Sequence, residues 1–425
     1  MNAPYEIAPE SPTSSLPAIE ALLERDGAGR VTGRFHHHRI DSHFQPIYSL
    51  AHGRVVGWEA LMRGTDPSGR AEMPPAILSV PRNDRERSLL DCLSRAVHVD
   101  NFLGAGPTEG WLLLNVQPET FLQGPWEGTF FEDLFSSRHL PHHRVVLEVL
   151  EDAIRDRDRI DDAVQFYRDH GCLVAIDDFG AGHSNFDRVW SMRPDLVKLD
   201  RQMLLRASQE PRIRRVMPSM VSMLHEAGAL VLMEGVETEE QALIALDADV
   251  DLAQGYLFGR PAPSPMDAPD RTSLFDGLWT RFQSDARTMW MGDRRNIAPY
   301  QNAIGLAASH IETGISPEAA CSRFLTLPRA ERCYLLTESG RQTDHRMLAV
   351  DAAGADERFG HLGNAAGANW SRRPYFRRAI EHPGRVQISR PYLSLATAKS
   401  CVTLSIQLRS PDGHLLVLCG DVTDA

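Results

Sequence analysis

The chain has 425 residues, a formal net charge of −12, 42% hydrophobic and 24% charged residues. These values fit a soluble globular protein of two or three domains, and the acidic balance gives no basic footprint for a nucleic acid polymer or a membrane surface. No apolar run of about 18 residues marks a spanning helix, no basic-then-apolar leader opens the chain, and six scattered cysteines without a CxxC pair fit a reducing cytoplasm.

Residues 1–34 mix Pro4, Pro9, Pro12 and Pro17 with serines and acids and read as a flexible lead-in with one short helix near Leu16–Glu24. From Phe44 a strand rhythm begins. Phe44–Leu50 and Val55–Leu61 flank a turn too short for anything but an antiparallel pair. Further strands are expected at Trp111–Val116, Arg144–Leu150, Leu173–Ile176, Leu196–Leu199, Leu230–Met233 and Leu252–Phe258. Amphipathic stretches such as Arg87–Val99, Ile160–His170 and Ile213–Ala227 separate them. Eight strands joined mainly by βα units predict an α/β fold, a closed TIM-like (β/α)8 barrel with one antiparallel strand, over residues 35–268. A doubly wound open sheet is the alternative, but no phosphate-binding glycine loop accompanies it. Pro261–Pro269 breaks the pattern, residues 269–315 read as a helical connector, and 316–425 read as a separate α+β domain. In that last part Arg332–Arg341 reads as a strand then a turn, and Arg385–Leu393, Cys401–Leu408 and His414–Val422 read as strands, with a turn at Pro411–Gly413.

In such a barrel the C-terminal strand ends share one face, where active sites lie. These ends carry Glu59 with Leu61 and Arg63 beyond it, then Asn115, Glu148, Asp177 with Asp178, Lys198, Glu234 with Glu237 beyond it, and Gln254. Residues far apart in sequence thus converge into an acidic cup. Its donors are oxygens, without His or Cys, so Mg²⁺ or Mn²⁺ suits it better than zinc or copper. So many acids exceed what one such ion takes, and two ions sharing an aspartate suit in-line attack of water on a phosphodiester. Lys198 adds a fixed cation, and Arg63 a grip on a phosphate oxygen. Any one acid, taken singly, reads equally well as a salt-bridge partner; their coincidence at successive strand ends points to a site.

The motifs Phe44-Gln-Pro-Ile47, Trp58-Glu-Ala-Leu-Met-Arg63, Leu114-Asn-Val-Gln-Pro118, Glu148-Val-Leu-Glu151, Asp177-Asp-Phe-Gly-Ala-Gly182, Val197-Lys-Leu-Asp200, Met233-Glu-Gly-Val-Glu237 and Ala253-Gln-Gly-Tyr256 resemble, in order, those of EAL domains. The resemblance covers roughly residues 40–263. It implies a cyclic di-GMP phosphodiesterase, or a non-hydrolysing receptor for the same dinucleotide, in the same barrel. By that resemblance Glu59, Asn115, Glu148, Asp177, Asp178 and Glu234 hold two metal ions, Mg²⁺ or Mn²⁺. Lys198 attends the hydrolytic water, Glu234 doubles as a candidate base, and Glu59, Lys198 and Glu234 are the catalytic set. Gln45, Leu61, Arg63, Glu237 and Gln254 fall where the family holds the dinucleotide. Glu151, Gly180 and Gly182 resemble the segment linking the metal site to the family's homodimer contact, with Ala181 and His183 as departures. Retention of all the acids and the lysine implies hydrolysis to linear pGpG. The C-terminal part resembles PAS-like or Cache-like sensor modules through Trp370–Phe376, Ser389–Tyr392 and Pro411–Gly413. That implies a small-molecule ligand, with Arg373, Tyr375, Tyr392 and Asp421 as pocket candidates.

Overall fold

The computed structural model describes residues 15–106, 109–118, 120–122, 129–150, 157–181, 186–349, 365–394 and 399–423; side chains at 129, 157–158 and 286–295 are outside that description. The chain divides into two units, Met1–Ser284 and Asp285–Ala425.

The first unit holds strands β1 (Leu23–Arg25), β2 (Val31–Phe35), β3 (His38–Ser49), β4 (Arg54–Thr65), β5 (Ala71–Glu72) and β6 (Trp111–Asn115). It continues with β7 (Val145–Leu150), β8 (Leu173–Phe179), β9 (Leu196–Leu199), β10 (Leu230–Met233) and β11 (Leu252–Ala253). Eight of these close into a barrel in the order β3-β11-β10-β9-β8-β7-β6-β4, with β4 pairing back onto β3. Only β3 runs antiparallel to its barrel neighbours, β4 and β11. The expected TIM-like barrel with one antiparallel strand is the observed fold.

Its interior follows from the period of two along a strand. Ile47, Leu113, Val146, Ala175, Leu196, Leu232 and Leu252 form a separate buried cluster, a plug to which each strand but β4 gives one apolar residue. On β4 the corresponding residue is Gly57, where an added Cβ would crowd the Trp111 backbone. Two residues further toward the C-terminal end of the barrel come Glu59, Asn115, Glu148, Asp177, Lys198, Glu234 and Gln254, with Gln45 on the antiparallel strand. The plug is the floor and these side chains stand on it.

Residues 15–35 depart from the expected flexible lead-in. The short helix expected near Leu16–Glu24 is present at Leu16–Glu20, but the strands β1 and β2 follow it, with β1 antiparallel to β2 and β2 to β3. Val31, Gly33 and Phe35 alternate inward, which buries Val31 and Phe35 and sets Gly33 against Leu93. The prolines upstream mask this short alternation in the sequence. Strand β11 is only two residues long, against an expected seven, because the chain turns at Gly255.

Helix Asp84–Ala105 backs this edge of the barrel, capped by Asn83, which accepts from Glu86 N, and ended by Gly106 at φ 80°. Its buried His98 lies between two hydroxyls, Ser42 Oγ at 2.7 Å from Nδ1 and Ser94 Oγ at 2.9 Å from Nε2. Burial pushes this imidazole down to about 3, with Asp41 opposing and Arg63 assisting. The unfolded chain therefore binds one more proton than the native state from about pH 6.5 downward. Stability from this group is complete above that value and falls with pH by about 1.4 kcal/mol per unit until the native imidazole titrates. Urea unfolding of wild type and His98→Gln between pH 7 and 4.5 is expected to show about 2–3 kcal/mol less pH-dependent loss in the variant. Parallel slopes in the two proteins would overturn this.

The second unit holds β12 (Ala330–Thr337), β13 (Gln342–Leu348), β14 (Gln387–Ile388), β15 (Tyr392–Leu393), β16 (Ser400–Arg409) and β17 (Leu415–Thr423). All pair antiparallel in the order β13-β12-β17-β16-β14, with β15 also on β16. One face packs Cys333, Leu335, Leu404 and Leu418 against Ile304 and Ile311 and against Phe324 of helix Pro317–Leu325. The other packs Tyr334, Leu336, Val417 and Cys419 against helix Pro374–Glu381. The expected connector at 269–315 is part of one helix, Thr272–Glu312. Its first turns belong to the barrel, where Phe275 stacks on Phe258, and its last turns to the core of the second unit.

Candidate active site

Consecutive residues on a regular strand point to opposite faces, so Asp177 and Asp178 should not share one. A bulge brings them together. Ile176 pairs with Val197 and Phe179 with Leu199, so β8 carries one more residue than β9 over this stretch. Asp178 takes up the extra residue in the left-handed region at φ 56°, a conformation that aspartate tolerates better than most side chains. As a result Asp177, Asp178 and Glu234 each present a carboxylate oxygen, all within 4.8 Å of one another.

Lys198 stands among these acids. Its Nζ lies 2.7 Å from Glu234 Oε1, 2.9 Å from both Glu148 Oε1 and Asp177 Oδ1, and 3.5 Å from Glu59 Oε1. Burial disfavours its charge, but the surrounding carboxylates outweigh burial and hold the ammonium well above the usual lysine range. Burial raises Glu148 far above the usual carboxylate range and Glu234 to about 8, each partly opposed by Lys198; burial and Asp177 raise Asp178. Around Glu59 a hydrogen-bonded rim fixes the side chains. Asn115 Nδ2 donates to Oε1 at 3.1 Å, and Gln254 Nε2 donates to Oε2 at 2.6 Å and to Gln45 Oε1 at 3.2 Å. Gln45 in turn donates to the Gly259 carbonyl at 3.1 Å.

These residues suit a hard divalent cation. Five carboxylates (Glu59, Glu148, Asp177, Asp178 and Glu234) surround one ammonium, a large excess of negative charge at the mouth of a buried barrel. Among the described residues, both Glu148 oxygens and Asp177 Oδ1 are buried without a hydrogen bond. The close approach of Lys198 to them is electrostatic, without donor geometry. Buried carboxylate oxygens with unused lone pairs are what Mg²⁺ or Mn²⁺ coordinates.

The model of the EAL domain family matches residues 29–261, more than half of the chain. The chain belongs to the EAL-domain family. Among the relatives of this EAL chain, a signaling protein of Caulobacter vibrioides is 30% identical over 262 residues, 60% of this chain and 29% of that protein. The cyclic di-GMP phosphodiesterase RocR of Pseudomonas aeruginosa is 28% identical over 252 residues, 58% of this chain and 64% of RocR. The chain thus spans less than two thirds of either relative. The structure of Bacillus subtilis YkuI, an EAL-domain protein bound to cyclic di-GMP and calcium, superposes with a TM-score of 0.77 at 21% identity, over 91% of this chain and 96% of YkuI. That likeness shows the fold.

The EAL barrel places the expected residues unequally. Glu59, Asn115, Glu148, Asp177, Asp178, Lys198, Glu234, Gln45 and Gln254 meet in the cup. Leu61 lines a cleft of about 390 Å³ that opens from it, together with Asn115, Asp177, Asp178, Ser94 and His98. Arg63 lies further along β4, its Nη1 donating to the Met62 carbonyl at 2.8 Å. Glu237 is exposed and paired with Arg201 at 3.1 Å, so it meets the cup through no contact of its own. Gly180 begins the turn after the bulge at φ 99° and packs beside Met203. Glu151 and Gly182 lie outside the described residues. The wall supplied by Ser94 and His98 was not among the expected site residues. Both sit on a helix face that reads as ordinary core, and only the closure of the barrel brings it to the cleft.

Gly255 holds the rim from behind. A Cβ there would overlap the backbone of Val236, which no rotamer change relieves. Gly255→Ala is expected to lower stability by about 1–3 kcal/mol by urea unfolding and to displace the adjacent Gln254, reducing turnover with it. An unchanged urea midpoint would contradict the rigid packing of this corner.

Proposed function

We propose that the chain is a metal-dependent phosphodiesterase that opens one phosphodiester of cyclic di-GMP to give linear pGpG. The observation that carries this reading is the cup itself: five carboxylates and one cationic lysine on the floor of an EAL barrel, with no acid or lysine missing. Relatives named as cyclic di-GMP phosphodiesterases, RocR among them, support the substrate. Glu59, Asn115, Glu148, Asp177, Asp178 and Glu234 would hold Mg²⁺ or Mn²⁺. A divalent pair supplies charge neutralisation for the phosphate and an activated water.

The chain's own residues do the rest. Lys198, kept cationic by its neighbours, holds the attacking water or the phosphate at the centre of the cup. Glu234, with a raised proton affinity, is the nearest base for the proton that water loses. Arg63 faces the phosphate, and Leu61, Gln45, Gln254 and Glu237 flank the dinucleotide. The second unit is a PAS-like or Cache-like sensor that adjusts turnover in response to a small molecule. The loop from Gly180 onward, with Glu151 and Gly182, couples the metal site to a homodimer contact. Residues 35–268 form the catalytic part of a cytoplasmic protein.

Incubating the full chain with cyclic di-GMP and Mn²⁺ and separating the nucleotides by chromatography tests this. Linear pGpG is the expected product. Tight binding with the cyclic dinucleotide intact after prolonged incubation would instead make the chain a receptor.

A further inference from the structure

The sheet face of the second unit that lies under helix Pro374–Glu381 is apolar at one end and polar at the other. At the polar end Arg332 on β12 stands directly across from Asp421 on β17. Arg332 is 5% exposed, and its Nε donates to Asp421 Oδ2 at 2.7 Å. The other Asp421 oxygen accepts from Thr403 Oγ1 at 2.7 Å and from the Tyr334 hydroxyl at 3.4 Å. Both carboxylate oxygens are therefore engaged, while Arg332 Nη1 remains buried with no hydrogen-bond partner among the described residues. An unpaired buried guanidinium donor costs about 1–3 kcal/mol or more, so a structural ion pair alone does not account for it.

A second unused donor lies nearby. Arg373 Nε is buried with no hydrogen-bond partner among the described residues, and its guanidinium sits 5.2 Å over the Tyr392 ring and 5.9 Å from the Trp370 ring. Tyr392 stacks beside Tyr375 at 6.1 Å and shares a 2.6 Å hydrogen bond with Thr403. Burial lifts the Tyr334 and Tyr392 hydroxyls well above their usual range, so they stay neutral donors. Two arginines with unused donors thus border one tyrosine cluster, Arg332 paired with Asp421 and 4.8 Å from the Tyr334 ring, Arg373 over the Tyr392 ring. Trp370, Arg373 and Tyr392 are half-buried, which leaves the cluster reachable from solvent.

We propose that this cluster is the binding site for a small organic carboxylate, with the ligand's carboxylate taken by Arg332 Nη1 and Arg373 Nε and its body against the tyrosine rings. This deepens the reading of the second unit as a sensor by naming its ligand class and its anchor. Arg332, Tyr334 and Thr403 join the sequence candidates Arg373, Tyr375, Tyr392 and Asp421. A planar carboxylate matches the guanidinium fork, and its charge restores the balance of the cluster.

Calorimetric titration of the full chain with pyruvate, malate and benzoate tests the site, with benzamide as the uncharged match and inorganic phosphate as an anion lacking an organic body. At least one carboxylate is expected to bind saturably, and benzamide and phosphate at least tenfold more weakly. Arg373→Gln, outside the Arg332–Asp421 pair, is expected to cut that affinity at least tenfold with little change in melting temperature. Arg332→Gln should do the same, and Arg373→Gln decides the matter if Arg332→Gln fails to fold. Saturable binding of none of the three carboxylates, equal binding of benzamide, or unchanged affinity in Arg373→Gln would overturn the proposal. Binding that leaves pGpG release unaltered would remove the regulatory reading of this unit while supporting the site. Loss of pGpG release with carboxylate binding intact would fall on the phosphodiesterase reading alone.

Discussion

Asp177→Asn is expected to abolish pGpG release, by roughly a thousandfold or more, equivalent to about 4 kcal/mol in the barrier. The change is nearly isosteric and leaves the plug beneath untouched. Asp177 lies 2.9 Å from Lys198 and shares the 4.8 Å cluster with Asp178 and Glu234. An amide there keeps one weak oxygen ligand and loses the charge that a divalent ion requires. Folding should survive, because removing one carboxylate from five relieves repulsion. Measured side by side, the variant's melting temperature should stay within a few degrees of wild type while its turnover disappears. Retained turnover at normal Mn²⁺ concentrations would show that the reaction does not pass through this acid.

Lys198→Met is expected to give the second large effect, on two observables at once. Turnover should fall to background, since no other cation lies at the centre of the cup among the described residues. The metal-free protein should also lose about 3–5 kcal/mol, because four carboxylates are left without their shared buried partner. Divalent cations should then stabilise the variant more than wild type, since they supply the missing charge to the folded state alone. Thermal unfolding with and without Mn²⁺ reads this directly. A variant as stable as wild type without metal, and no more responsive to it, would show that the acids are balanced by something other than Lys198.

Much of this site is legible in the chain because most barrel strands lead to a polar residue two positions beyond an apolar one. Leu113 and Asn115, Val146 and Glu148, Leu196 and Lys198 repeat that step. A βα rhythm then places those ends on one face. What is not legible is the local geometry that turns neighbours into partners. The sequence shows Asp177 next to Asp178, but only the bulge against β9 and the left-handed Asp178 bring both carboxylates to one side. The exposed setting of Glu237 is hidden for a similar reason, since its pairing with Arg201 depends on how the turn after β10 meets the helix that follows β9. Strand β13 escapes a reading by alternation because Asp344, His345 and Arg346 at its centre are exposed. Arg332 reads as an ordinary strand residue, because its partner Asp421 lies 89 residues away and pairs with it only once β12 meets β17.

The most direct measurement is Mn²⁺ binding and cyclic di-GMP turnover followed in the same samples of the full chain and of Asp177→Asn. Turnover is expected to rise with bound Mn²⁺, to saturate with it, and to stop when EDTA strips the ion, while the variant binds Mn²⁺ at least tenfold more weakly and makes no pGpG. Turnover that persists in EDTA, or Mn²⁺ binding that Asp177→Asn leaves unchanged, would contradict a metal-dependent cup.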